Sequence, residues 1–383
     1  MIAIILPTAD TKNLSPLTDS ISESLLPIAN KPILEHQIEF FAQQNIKEIV
    51  VVLKHKHLQV EKYFGCGERW GVKLKFVFEK RFQGELNTLN RFQHLWKDTI
   101  VCLPGNILTN LDLTQLLKVH KFGKSDITLC QADINSSKKQ VDLLNKGLPE
   151  QTPFVIEPGV LPQILKQVKE NSTFPESNKL APKISIFNSK SSEGYFFLDS
   201  TKDYWEINQQ SLEGKIDGLI IKGKEISKNV WIGAHSEVHP KAVLKAPLLI
   251  GDHCVVNKDV VIEGGSIIGD NSIIEEGTSV SRSVVWKGTY AGAQTQIADS
   301  VVNKNHLFHI PRRTMVQVSE PFILGDSEPE LSLKIRKLHP TKSLKVDSQM
   351  FSFLTRIMDM FAIRFNLFKA NLKMQKKEKA IVS

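Results

Sequence analysis

No two of the four cysteines stand at a C-x-x-C spacing; Cys66, Cys102, Cys130 and Cys254 are scattered along the chain. That scatter excludes a zinc-finger ligand set and a disulfide framework, and it fits a reducing, cytoplasmic setting. No uncharged apolar run reaches about 18 residues, so no transmembrane helix is expected. Residues 1–6, MIAIIL, are too short for a signal peptide and lack a basic flank. Nor is there a general excess of positive charge, although the net charge is +8 over 383 residues. Residues 331–383 hold 12 Lys+Arg against 3 Asp+Glu, whereas the other 330 residues hold 37 against 38. The basicity belongs to a tail, and the near-neutral body offers no electrostatic case for nucleic acid.

What is present is globular. Hydrophobic residues make up 41% of the chain and charged ones 23%, which excludes wholesale disorder. At roughly 150 residues per domain, the length suggests two domains and an appendage. Residues 2–6, 47–53, 72–78, 99–104 and 126–132 are apolar, β-branched runs that read as strands. Helical segments are expected at 31–43, with Pro32 suited to a first turn, at 86–96 and near 112–121. This alternation implies βαβ units and a mainly parallel sheet. Ligands of such sheets bind beyond the carboxyl ends of the strands, so loops 7–30, 79–87 and 104–110 should carry the chemistry.

From residue 226 an aliphatic residue recurs every six positions: Ile226, Ile232, Val238, Leu244, Ile250, Val256, Ile262, Ile268, Ile274 and Val280. Small residues follow four positions later at Ser236, Ala242, Cys254, Ser266, Ser272 and Thr278. This hexapeptide period is the signature of a parallel β-helix, expected left-handed, with the aliphatic residues inside and the small ones at corners. The phase is expected to break after Trp286. Residues 306–349 read as a linker. In 350–376, Met350, Leu354, Ile357, Phe361, Phe365, Phe368 and Leu372 form one helical face. With Phe351, Arg356, Arg364, Lys369 and Lys373, this basic helix suits an anionic membrane surface or, equally, a protein partner.

The order of these parts resembles the sugar-1-phosphate nucleotidyltransferases, of the mannose-1-phosphate guanylyltransferase and glucose-1-phosphate adenylyltransferase type. The resemblance covers about 1–305. In that family a strand leads into G-G-x-G-T-R-L-x-P-L-T and then P-K-P-L-L-P-I-x-N-K-P-I. Here Ile4-Ile5-Leu6 leads into PTADTKNLSPLT (7–18), then Ser22-Glu23-Ser24 and LLPIANKPILEH (25–36). LPGNILTNLDLTQLL (103–117), FVIEPGVL (154–161) and GYFFLDSTKDYWEIN (194–208) are similar to later family segments. The resemblance implies a Rossmann-like α/β nucleotidyltransferase domain over 1–222 and a β-helix over 223–305.

The family joins a sugar-1-phosphate to the α-phosphate of a nucleoside triphosphate and releases pyrophosphate. Glycines let its backbone approach the phosphates, an Arg and a Lys neutralise shifting charge, and two Asp hold Mg²⁺. This chain departs from that pattern. Thr8, Ala9 and Thr11 stand at glycines, Asn13 at the Arg, Glu23 at the Lys, and Asn106, after Gly105, at a metal Asp. The second metal position is Leu198 without a gap, or Asp199 with a one-residue shift. The family's L-G-T-A-G loop falls at FQGELNT (82–88), where only Gly84 matches. Losing one electrostatic stabiliser costs about 10²–10³ in rate. Losing several implies a pseudoenzyme that binds nucleotides or sugar nucleotides, or assembles as a homo- or hetero-oligomer with an active paralogue. The alternative is an active, Mg²⁺-dependent enzyme with rearranged ligands, Asp10, Lys12 and Asp199 being the candidates. A third reading, acyl transfer on the β-helix, would use His235, His239 or His253.

Overall fold

The computed structural model describes residues 1–7, 12–80, 82, 84–131, 152–170, 183–188 and 194–327. The chain divides into two compact units. The first holds 1–231 with 246–249 and 264–267; the second holds 232–245, 250–263 and the chain from 268 onward. In chain order the first unit runs β1 (Ile2–Leu6), β2 (Pro27–Ile28), β3 (Lys31–Pro32), α1 (Ile33–Gln43) and β4 (Glu48–Leu53). Then come α2 (His57–Phe64), β5 (Lys73–Phe78), α3 (Glu85–Arg91), β6 (Ile100–Pro104), β7 (Ile107–Thr109) and α4 (Leu113–Gly123). It closes with β8 (Ile127–Gln131), β9 (Phe154–Ile156), α5 (Leu161–Glu170), β10 (Ile184–Asn188), β11 (Tyr195–Phe197) and α6 (Thr201–Leu212).

Seven strands form one sheet in the order β10-β8-β9-β6-β1-β4-β5. β1 lies parallel to both β4 and β6, and β4 to β5. Only β9 runs antiparallel, between β6 and β8. The side-chain period of two splits the apolar strands between two cores. Ala3, Ile5, Val51 and Leu103 face one way, against Leu34, Ile38 and Phe41 of α1 and Leu113 and Leu116 of α4. Ile4, Leu6, Val52 and Cys102 face the other, against Leu86 and Leu89 of α3 and Leu161 and Ile164 of α5. Burial on both sides is why these strands read as unbroken apolar runs. It also leaves the carboxyl ends of β1, β4 and β6 side by side.

In the repeat region each of the ten hexad residues falls in its own short strand. Ile226, at the start, is 55% exposed, whereas every hexad position from Ile250 to Val280 is buried. Parallel ladders stack Val238 on Val256 and Ile274, and Leu244 on Ile262 and Val280, one coil per 18 residues. The next steps, Ile274 to Ala291 and Val280 to Ile297, span 17. One residue is therefore lost between Ser281 and Val284, slightly before the expected break at Trp286, because Val285 takes the inward strand position.

The small residues at the corners have a shared task. Ser236 Oγ donates to the Gly251 carbonyl (2.6 Å) and accepts from the Cys254 amide (2.9 Å). Cys254 Sγ points to the Gly269 carbonyl, and Ser272 Oγ bonds the Trp286 carbonyl and accepts from the Thr289 amide. The ladder satisfies backbone groups that the corners would otherwise bury unpaired.

Structure continues from 306, where the sequence reads as a linker. His306–His309 pairs antiparallel with Ser300–Asn303, Thr314–Gln317 with His306–His309, and Leu324–Asp326 with Thr289–Ala291. Lys304 and Arg313 adopt positive φ at the turns, and buried Leu324 anchors the last strand. The tail segment with Phe351, Arg356, Phe361, Arg364, Phe365, Phe368, Lys369 and Lys373 lies outside the described residues. Among the described residues, no helix is long and apolar enough to cross a membrane.

Candidate functional site

The segment PIANKP is a tight hairpin. Ala29 and Asn30 both have positive φ (46° and 62°), an unfavourable conformation for a side chain as plain as alanine. Asn208 of α6 holds it there: its Oδ1 accepts the Ala29 N–H (3.0 Å) and its Nδ2 donates to the Tyr204 carbonyl (2.8 Å). Tyr204 Oη donates to the Pro27 carbonyl (2.8 Å). Lys31, buried, meets Glu39 at 2.7 Å. His36 Nε2 lies 2.8 Å from the Ile28 carbonyl, and burial, seconded by the Lys31 charge, pushes its pKa down to about 3. Two segments that carry the resemblance, LLPIANKP and DYWEIN, thus brace each other.

The turn between β6 and β7 is built with similar care. Gly105 donates to the Leu6 carbonyl (2.7 Å), and a Cβ there would sit 3.0 Å from that oxygen. Gln37 Nε2 of α1 donates to the carbonyls of Pro104 (2.9 Å) and Ile107 (2.7 Å). Asn106, buried between them, donates from Nδ2 to Asp199 Oδ1 at 2.6 Å. β11 lies antiparallel to β7, and the Leu198 amide donates to the Asn106 carbonyl. Leu198 itself is buried. Of the two alternatives, it is Asp199 that the structure brings to Asn106.

A family Mg²⁺ would need two carboxylates here. The pair offers one, with an amide N–H already directed at it. No group of three or more His, Cys, Asp or Glu among the described residues is placed to hold a metal ion. Among the described residues, the donor set does not fit Mg²⁺.

Beside this turn the carboxyl ends of β1 and β4 open into a cleft of about 190 Å³. Pro7 and Gly105 form part of it, Thr18, Ile21, Ser22, Glu23 and Ser24 a second part, and Lys54, His55 and Lys56 a third. Glu23, at the position where the resemblance puts a phosphate-binding Lys, thus lines the cleft. Motif comparison singles out Glu23 and Gly105 but misses Lys54, His55 and Lys56. Their position, directly after an apolar strand of a parallel sheet, is the signal that could have found them.

Other expected positions fall elsewhere. Asn13 is exposed and does not line the cleft. Gly84 is the residue before α3, with φ +95°. There Glu79, buried at the end of β5, accepts from Thr88 Oγ1 (2.5 Å) and meets Arg91 at 2.8 Å. Thr8, Ala9, Asp10 and Thr11 lie outside the described residues, as does the side chain of Lys12. His235 and His253 are exposed, with positive φ, and their rings stack at 5.0 Å; His239 is also exposed.

Comparison with known proteins agrees with this layout. The family described as Nucleotidyl transferase matches residues 2–140, and Bacterial transferase hexapeptide (six repeats) matches 248–282. UTP–glucose-1-phosphate uridylyltransferase of Synechocystis is 23% identical over 337 residues, covering 79% of this chain and 87% of that protein. Glucose-1-phosphate thymidylyltransferase of Streptomyces griseus is 20% identical over 339 residues, covering 88% and 87%. Mannose-1-phosphate guanylyltransferase of Mycobacterium tuberculosis is 30% identical over 128 residues, covering 33% and 36%. The chain thus carries a nucleotidyl transferase domain followed by hexapeptide repeats, and its relatives are sugar-1-phosphate nucleotidyltransferases, in keeping with the resemblance of its sequence.

Proposed function

We propose that this protein is a catalytically degenerate member of its family, serving as a binding, regulatory or scaffolding subunit in sugar-nucleotide or polysaccharide metabolism. The observation that carries this reading is the Asn106–Asp199 contact, an amide bonded to a carboxylate where two carboxylates would share a metal. Glu23 adds a negative charge to a cleft that would have to accept a triphosphate. Electrostatic stabilisers of a transferring phosphoryl group each contribute about 10²–10³ in rate, and here they are reversed or neutralised together. The preserved hairpin does not argue against this, since its contacts are internal to the scaffold. The β-helix offers a surface for self-association or for pairing with an active relative. The basic tail is proposed to meet an anionic surface.

The direct test incubates the full chain with each nucleoside triphosphate, Mg²⁺ and glucose- or mannose-1-phosphate, and follows pyrophosphate release. No turnover above background is expected. A rate typical of an enzyme would replace this reading with that of an active transferase using rearranged ligands. A thermal-shift series with sugar nucleotides, with and without EDTA, is expected to show stabilisation that does not need metal.

A further inference from the structure

One wall of the cleft is tied to another by a single side chain. Lys56 follows β4, adopts positive φ (+50°), and precedes α2. Its Nζ donates to the carbonyls of Thr18 (2.5 Å), Asp19 (2.7 Å) and Ile21 (3.2 Å). An ammonium has three protons, and three carbonyls take them. Three residues further along, Gln59 accepts from the Ser22 amide (3.2 Å) and donates to the Ser20 carbonyl (3.3 Å). All five bonds go to the main chain of 18–22, so they fix its path whatever its side chains are. That path sets the width of the cleft and delivers Glu23 into it.

We propose that Lys56 and Gln59 are a latch that holds loop 18–22, and with it Glu23, in the position that disfavours polyanions in the cleft. Resting on the reading of this cleft as a degenerate ligand site, the inference adds how the site is regulated. Although Lys56 lines the cleft, its charge is committed to carbonyl dipoles and is not offered to a ligand. The latch is a positioning device. A lysine used to bind phosphate would leave at least one N–H directed into the cleft.

The two roles differ in the sign of one measurement. Pyrophosphate binding is followed by calorimetry on the full chain and on the Lys56→Gln and Gln59→Ala variants, with hydrogen exchange read on amides 18–24. If the latch operates, Lys56→Gln loses a positive charge yet binds pyrophosphate about tenfold more tightly or better. Its loop amides exchange faster, and the charge-neutral Gln59→Ala change moves both readouts the same way by less. Weaker binding by Lys56→Gln would make Lys56 a phosphate ligand and overturn the latch. Equal binding, or none by any variant, would overturn it too. Turnover by the unaltered chain would overturn the degenerate reading, whereas a Lys56→Gln variant that binds no more tightly, with no turnover by the unaltered chain, would overturn the latch alone, so the two failures are distinguishable.

Discussion

At the scale of single residues, the Asn106–Asp199 contact is the most informative. Replacing Asn106 by Asp places two carboxylates where one amide–carboxylate bond of 2.6 Å now stands. Like charges at that distance repel, so Asn106→Asp should lower stability in metal-free buffer by about 1–3 kcal/mol. Added Mg²⁺ or Mn²⁺ should return most of that loss in urea unfolding. No metal effect on the variant would mean that the pair no longer has the geometry of a metal site. His36 gives a pH prediction. Its folded pKa of about 3 lies below its ordinary 6.5, so the unfolded chain binds the proton first. The resulting stability is complete above pH 6.5 and is lost as pH falls toward 3, at about 1.4 kcal/mol per unit. Between pH 7 and 5 the unaltered chain should lose about 2 kcal/mol more than His36→Gln. Equal losses would show that His36 is not buried neutral.

At the scale of elements, the two halves of the chain were unequally legible. The β-helix declared itself because each coil repeats one local rule, an inward aliphatic residue and a hydroxyl or thiol at the corner. The last coils did not, since Ser300–Asn303, His306–His309 and Thr314–Gln317 form an antiparallel meander with no period six. In the first unit, β1 and β4 could be read as buried strands, but the reversal of β9 could not. Its direction depends on pairing with β6, more than fifty residues earlier. The site was legible where it is local, as at Glu23 and Asn106. It was illegible where it depends on distant partners, as when Asn208 holds Ala29 across 179 residues. Asn208→Ala should therefore cost about 2–3 kcal/mol, through an orphaned Ala29 N–H and a released left-handed turn. The coils carry their own test. A Cβ on Gly269 would lie 2.3 Å from the Lys287 amide nitrogen, backbone that cannot step aside. Gly269→Ala should lower the thermal midpoint by several degrees, whereas Gly277→Ser, with only Gln294 at 3.4 Å, meets no such wall and pays mainly for its positive φ.

At the scale of the whole molecule, charge is divided as unevenly as structure. The first 330 residues sum to −1 and the last 53 to +9. The candidate cleft shares in that near neutrality, since Glu23 and Lys54 both line it and Lys56 is committed to three carbonyls. By charge alone, the tail is the segment proposed to attract a polyanion. If the tail attracts a membrane, binding should scale with lipid charge and fall as salt shortens the Debye length from about 10 Å at 0.1 M to about 3 Å at 1 M. The measurement is co-sedimentation with vesicles of neutral lipid and of neutral lipid mixed with phosphatidylserine, for the full chain and for one ending at Pro340. The full chain should pellet only with the anionic vesicles and be released by salt, and the shortened chain should stay in solution. Equal behaviour of the two chains would assign the tail's apolar residues, Phe361, Phe365 and Phe368 among them, to a protein partner instead. The charge imbalance would then be a matter of solubility and not of address.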